Sequence, residues 1–299
     1  MKPSSFVINS TLVLVAFVWG AGFVPQRLGL ETFEPMAFNA WRFAFGAITL
    51  MPILWLFRLT LSDIFNKETL ISGLVLGSLL SAAAGFQQIS LGLTKVANVA
   101  FITGFYVVFV PIIGLFFKHR YSFVTWCGGT LALIGLALLS GFQGKVQLQG
   151  DGFALLGALS WAIHLLAITF VVKRHNQIVL AFYQFVFCAL ISAIVSLKFE
   201  ASLLATNDDG YFWALMNGVI VVGMAYTLQI VALKYSDPFV ASVIFSLESV
   251  FGAIAGYWFF QEVLGFYGFI GAGLMLLGCL LAQWPESMEK KGPEGPLTD

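Results

Sequence analysis

Leu12-Val13-Leu14-Val15-Ala16-Phe17-Val18-Trp19-Gly20-Ala21-Gly22-Phe23-Val24-Pro25 decides the fold. The stretch is long, apolar and uncharged, which suits a bilayer crossing better than a soluble core. Its pattern returns in Leu155-Leu156-Gly157-Ala158-Leu159-Ser160-Trp161-Ala162, with Trp161 standing 142 positions after Trp19. Two related halves are expected. In membrane proteins such halves commonly enclose a shared binding site.

Composition sets the same frame. Of 299 residues, 59% are hydrophobic and 10% charged, against roughly 25% charged in ordinary soluble domains; mean hydropathy is +0.91. Fifteen basic residues balance fifteen acidic ones, so the charge gives no sign of a nucleic-acid partner. Cys127, Cys188 and Cys279 lie in apolar runs without metal-ligand or disulfide spacing, and read as packing residues. The apolar run from Val7 to Val24 reads as a retained span, being longer than a signal core and lacking a clean small-x-small exit.

Uncharged stretches of about 20 residues predict ten spans, near 9–29, 34–57, 69–92, 96–117, 122–141, 150–173, 176–198, 211–234, 239–260 and 265–284. The expected architecture is an all-α polytopic membrane protein of ten transmembrane helices. Residues 1–145 form a first five-helix repeat and 146–285 a second, followed by a charged, disordered cytoplasmic tail over 286–299. The short connections force neighbouring helices to run antiparallel. With both termini cytoplasmic, ten Lys or Arg fall on that side (Lys2, Arg58, Lys67, Lys118, Arg120, Lys173, Arg174, Lys234, Lys290, Lys291). Four (Arg27, Lys95, Lys145, Lys198) fall on the other, and Arg42 lies inside a span. That bias orients both ends to the cytoplasm; the expected location is the cytoplasmic (inner) membrane.

The 142-residue offset also pairs Phe43 with Phe185, Gln87 with Gln229, Leu91 with Leu233 and Val108 with Val250. After a one-residue slip, Gly128 meets Gly271 and Gly135 meets Gly278. Each half holds five spans, an odd number, so the second must enter the membrane inverted relative to the first. A central cavity between the halves follows from that plan.

Three segments carry a family resemblance: the Trp19-Gly20 pair; Phe101 to Pro111; and Ser246-Leu247-Glu248-Ser249-Val250-Phe251 with Phe260-Gln261-Glu262. Together they resemble the EamA family of the drug/metabolite transporter superfamily, over nearly the whole chain to about Trp284. The resemblance implies ten helices in two inverted repeats and export of amino acids or other metabolites. Two positions depart from the family pattern. Ser249 stands where the family usually carries proline, and Gln261 stands where it usually carries glycine.

In-span polar residues are candidate site residues, since each charge costs about 2.5–3.5 kcal/mol at a helix centre. Asn39 and Arg42 share a stripe with Gly46 and Thr49. Arg42, ~5 Å outside the midplane at 1.5 Å per residue, either grips a substrate carboxylate or phosphate, forms an ion pair, or reaches the outer interface. Glu248 is open to three roles: partner of Arg42, proton carrier, or contact for a substrate amine. His164 follows Trp161 by one turn and either faces the cavity or packs. Trp19 and Trp161, central rather than interfacial, suit the walls of a site. Gln184 takes the place in the second half that Arg42 holds in the first. Tyr106 and Tyr226 offer hydroxyls or ordinary packing. Gln87, Gln88 and Gln229 read as interhelical hydrogen bonds, and Glu262 as structural.

No phosphate-binding loop and no cofactor or metal-ligand spacing occurs in the sequence. The expectation is therefore a secondary transporter, not an enzyme. It has a small-molecule substrate, the lipid bilayer and protons as partners, and works as a monomer or homodimer. Uptake and a lipid-modifying membrane enzyme are the alternatives, the latter without the clustered acid, base or nucleophile it would need.

Overall fold

The computed structural model describes residues 3–57, 64–94, 96–117, 121–140, 147–261 and 265–283. Several residues of the charge count (Lys2, Arg58, Lys95, Lys118, Arg120, Lys145, Lys290, Lys291), together with Glu262, Trp284 and the tail 286–299, lie outside the described residues.

Helix starts are marked by the residues that chemistry favours there. α1 (Ser5–Gly29) begins where the Ser4 hydroxyl accepts from the Val7 amide at 3.3 Å. Pro35 opens α2 (Pro35–Leu56), and Asn66 caps α3 (Lys67–Leu93) by accepting from Thr69 N at 3.0 Å. The fourth crossing is broken into α4 (Val96–Thr103) and α5 (Tyr106–Phe116), and α6 (Phe123–Ser140) ends the first half. In the second half come α7 (Leu148–Val171) and α8 (Gln177–Phe199), the latter capped by Asn176. The eighth crossing joins α9 (Asp208–Met216), a π-helical stretch (Asn217–Tyr226) and α10 (Thr227–Leu233). The ninth is broken into α11 (Pro238–Phe245) and α12 (Glu248–Phe260), and α13 (Phe266–Ala282) is the tenth.

Eight of these crossings are long and apolar enough to span a bilayer, and two shorter apolar helices complete the expected ten. Their outer faces show large apolar side chains, such as Trp55 at 83% and Phe116 at 82% exposed, a surface that hydrocarbon accommodates and water does not. The inner faces of both halves share one core.

Contacts follow the two-fold relation between halves. α2 packs on α8, its own counterpart, and α6 packs on α13, also its counterpart. A Cβ on Gly135 would stand 2.5 Å from the Gly271 carbonyl, and one on Gly128 would stand 2.7 Å from that of Gly278. These two contacts exchange under the repeat, so glycine is required on both sides of a close antiparallel crossing.

Both helix breaks fall at equivalent places, Gly104–Phe105 and Ser246–Leu247, 142 positions apart. At each, bonds to the third preceding residue tighten one turn: Val107 N to Gly104 O at 3.1 Å and Ser249 N to Ser246 O at 3.1 Å. The ninth crossing is thus interrupted without the family's usual proline. Ser242 and Ser246 help, donating back to Phe239 O and Val243 O, each at 2.7 Å, a pattern that bends helices. Ser249 Oγ donates to Ala100 O at 2.9 Å, tying one broken crossing to the other.

Candidate functional site

Four aromatic rings from four crossings meet where the halves join. Trp19 of α1 and Trp161 of α7 stand 6.2 Å apart by ring centroid. Tyr226, at the end of the π-helical stretch, lies 5.0 Å from Trp19 and 5.8 Å from Trp161, nearly parallel to the latter at 10°. Phe245, the last residue of α11, lies 4.8 Å from Trp19. They border a cavity that Gln26, Gln87, Thr103, Tyr106, Gln229 and Glu248 also line.

The helix breaks deliver the polar end of this cavity. Tyr106 is the first residue of α5 and Glu248 the first of α12. They occupy equivalent places in the two halves, and the Tyr106 hydroxyl donates to Glu248 Oε1 at 3.5 Å. This is a long bond for an oxygen pair. Glu248 is 5% exposed and, among the described residues, Tyr106 is its sole hydrogen-bond partner. The start of a helix favours a negative side chain, which eases the placement of this carboxylate.

Arg42 is elsewhere. Its Nε donates to Asn39 Oδ1 at 2.8 Å and its Nη1 to Asn217 Oδ1 at 3.2 Å, while Asn217 Nδ2 donates to Gly22 O. The guanidinium sits 4.9 Å from the Phe43 ring, and Phe43 in turn packs on Tyr226. Arg42 is 1% exposed, so the charge is held by two amide oxygens behind the aromatic wall. His164 is in the same layer: Nε2 donates to Gln184 Oε1 at 3.2 Å, and the ring meets the edge of Trp161.

Of the residues singled out in the sequence, Trp19, Tyr106, Trp161, Tyr226 and Glu248 come together at the cavity; Asn39, Arg42, His164 and Gln184 form the layer behind it. Gln87 and Gln229 line the cavity too, beyond the interhelical role expected of them; their relation by the repeat was the available signal. Thr103 and Phe245 were missed, although each directly precedes a helix break. Several wall atoms have no hydrogen-bond partner among the described residues: both indole Nε1, Gln26 Oε1, Gln229 Oε1 and Thr103 Oγ1. Among the described residues no group of three His, Cys, Asp or Glu is placed to hold a metal ion.

Two related helical halves enclosing one cavity, in a chain of helices long and apolar enough to cross a bilayer, have the architecture of many membrane transporters. The model of the EamA-like transporter family matches residues 7–141 and again residues 148–284. The chain belongs to that family, which is one of transporters and not of enzymes. It is 29% identical over 277 residues to an uncharacterized transporter of Archaeoglobus fulgidus, covering 90% of this chain and 83% of that one. It is 23% identical over 291 residues to the uncharacterized transporter YoaV of Bacillus subtilis, covering 93% and 97% of the two chains. A solved crystal structure superposes with a TM-score of 0.78 at 17% identity, over 93% of this chain and 96% of its own.

Proposed function

We propose that the protein is a secondary carrier that opens its central cavity to each side of the cytoplasmic membrane in turn, moving a small polar metabolite outward. An amino acid or a related amine is the substrate, exchanged for protons. One observation carries this reading: residues related by the repeat, Trp19 with Trp161, Tyr106 with Glu248 and Gln87 with Gln229, line the same cavity from opposite halves. Rocking one half against the other therefore changes the exits while the wall stays in place. The interruptions at Gly104–Phe105 and Ser246–Leu247 supply the points of bending. Substrate and proton compete for Glu248, whose carboxylate accepts a single long hydrogen bond.

Residues 1–145 and 146–285 act as the two repeats, in a monomer or homodimer, with both termini cytoplasmic by the distribution of Lys and Arg. The outward direction rests on the family resemblance. Counterflow tests the carrier. Proteoliposomes preloaded with unlabelled amino acids and amines should accumulate the labelled solute, and Trp161→Ala should cut the rate at least tenfold with folded yield preserved. Absence of counterflow for every solute, with protein correctly inserted, defeats the proposal.

A further inference from the structure

Among the described residues, the cavity wall contains one carboxylic acid, Glu248, and no Arg, Lys or His. Arg42 lies outside that wall, with Asn39 and Asn217 accepting from its Nε and Nη1 and its Nη2 buried without a partner among the described residues. A carboxylate in a low-dielectric cavity without a counter-charge is costly; the exchanged proton relieves that cost in the empty cavity, and a cationic ligand relieves it when bound. The remaining wall agrees in sign. Trp19 lies 4.8–6.2 Å from the rings of Trp161, Tyr226 and Phe245, and Trp161 lies 5.8 Å from Tyr226; aromatic faces attract cations, including quaternary ammonium groups. Gln26 Oε1, Gln229 Oε1 and Thr103 Oγ1 are acceptors without partners, suited to the N–H groups of an ammonium. A ligand carboxylate would meet Glu248 and the aromatic rings with no cation to offset the repulsion. The two free indole N–H groups can serve a neutral hydroxyl or carbonyl on the ligand.

We propose that the cavity selects small organic monocations, amines or quaternary ammonium compounds without a carboxylate, with the cationic nitrogen held between Glu248 and the rings of Trp19, Trp161, Tyr226 and Phe245. This rests on the cavity being the transport site, and narrows its substrate class from amino acids to their decarboxylated relatives.

Matched pairs test it: phenethylamine against phenylalanine, tryptamine against tryptophan, and choline as a quaternary cation. Each is titrated into the purified full-length protein in detergent, followed by calorimetry and by ligand-induced thermal shift. Amines should bind at least tenfold more tightly than their amino acids, and Glu248→Gln should weaken amine binding at least tenfold. If Glu248→Gln does not fold, Phe245→Leu serves instead, and should weaken choline binding by a similar factor. Amino acids binding as tightly as their amines overturn the inference, as does amine binding that neither substitution alters. Counterflow separates the two levels. Amino-acid counterflow without amine recognition leaves the carrier standing and sinks the substrate class; amine binding without any counterflow does the reverse.

Discussion

Arg42 shows what a buried charge needs when no opposite charge is offered. Its planar fork reaches Asn39 of its own helix and Asn217 of the eighth crossing at once, by different nitrogens. Arg42→Lys keeps the charge but cannot make both bonds, and leaves an amide oxygen unsatisfied. It should cost about 1–3 kcal/mol of stability, measured by thermal unfolding in detergent, with ligand affinity changed less than threefold. A larger loss of affinity than of stability would return Arg42 to the binding site. The sequence made Arg42 conspicuous because charge inside a span is rare. Its partner was hidden: Asn217 is an uncharged amide 175 positions away, with nothing local to mark it. Glu248 was more legible. Its partner Tyr106 sits at the position that the 142-residue repeat assigns to Glu248 itself.

At the scale of helices, the ninth crossing breaks for reasons that do not need proline. Ser249 is the second residue of α12, inside the first turn, where proline is tolerated. Ser249→Pro should therefore fold, while losing the bonds to Ala100 O and Ser246 O, a cost of about 1–2 kcal/mol. The check is a melting curve beside that of Ser249→Ala, which loses the Ala100 bond alone. Collapse of the Ser249→Pro protein would show that the turn depends on that amide. Periodicity and hydropathy located each crossing, since these report the burial of a face. They did not reveal that the fourth and ninth crossings divide, because Gly104 and Ser246 are ordinary residues in apolar runs; their matching places in the two halves become telling once the repeat is laid out in space.

At the scale of the whole molecule, the last helices of the two halves, α6 and α13, are joined by the glycine crossing. Gly135→Ala should force these helices apart and destabilise the protein by about 1–3 kcal/mol, and Gly271→Ala should do likewise. Because the two glycines oppose each other, the double substitution should be non-additive in a thermal-unfolding cycle; additive losses would place them in separate contacts. Most of this architecture was legible in the sequence, since a constant offset between rare residues reports a duplicated unit and an odd number of crossings reports its inversion. One feature has no counterpart across the duplication. The π-helical coil Asn217–Tyr226 corresponds to residues 75–84, which lie within the continuous α-helix Lys67–Leu93. Conformations exchanged by a perfect dyad would be isoenergetic, leaving a carrier at rest with no favoured side. In the carrier proposed above, a wider coil in one half alone is among the differences that lift that degeneracy, and would give the molecule a preferred waiting posture before any gradient acts upon it.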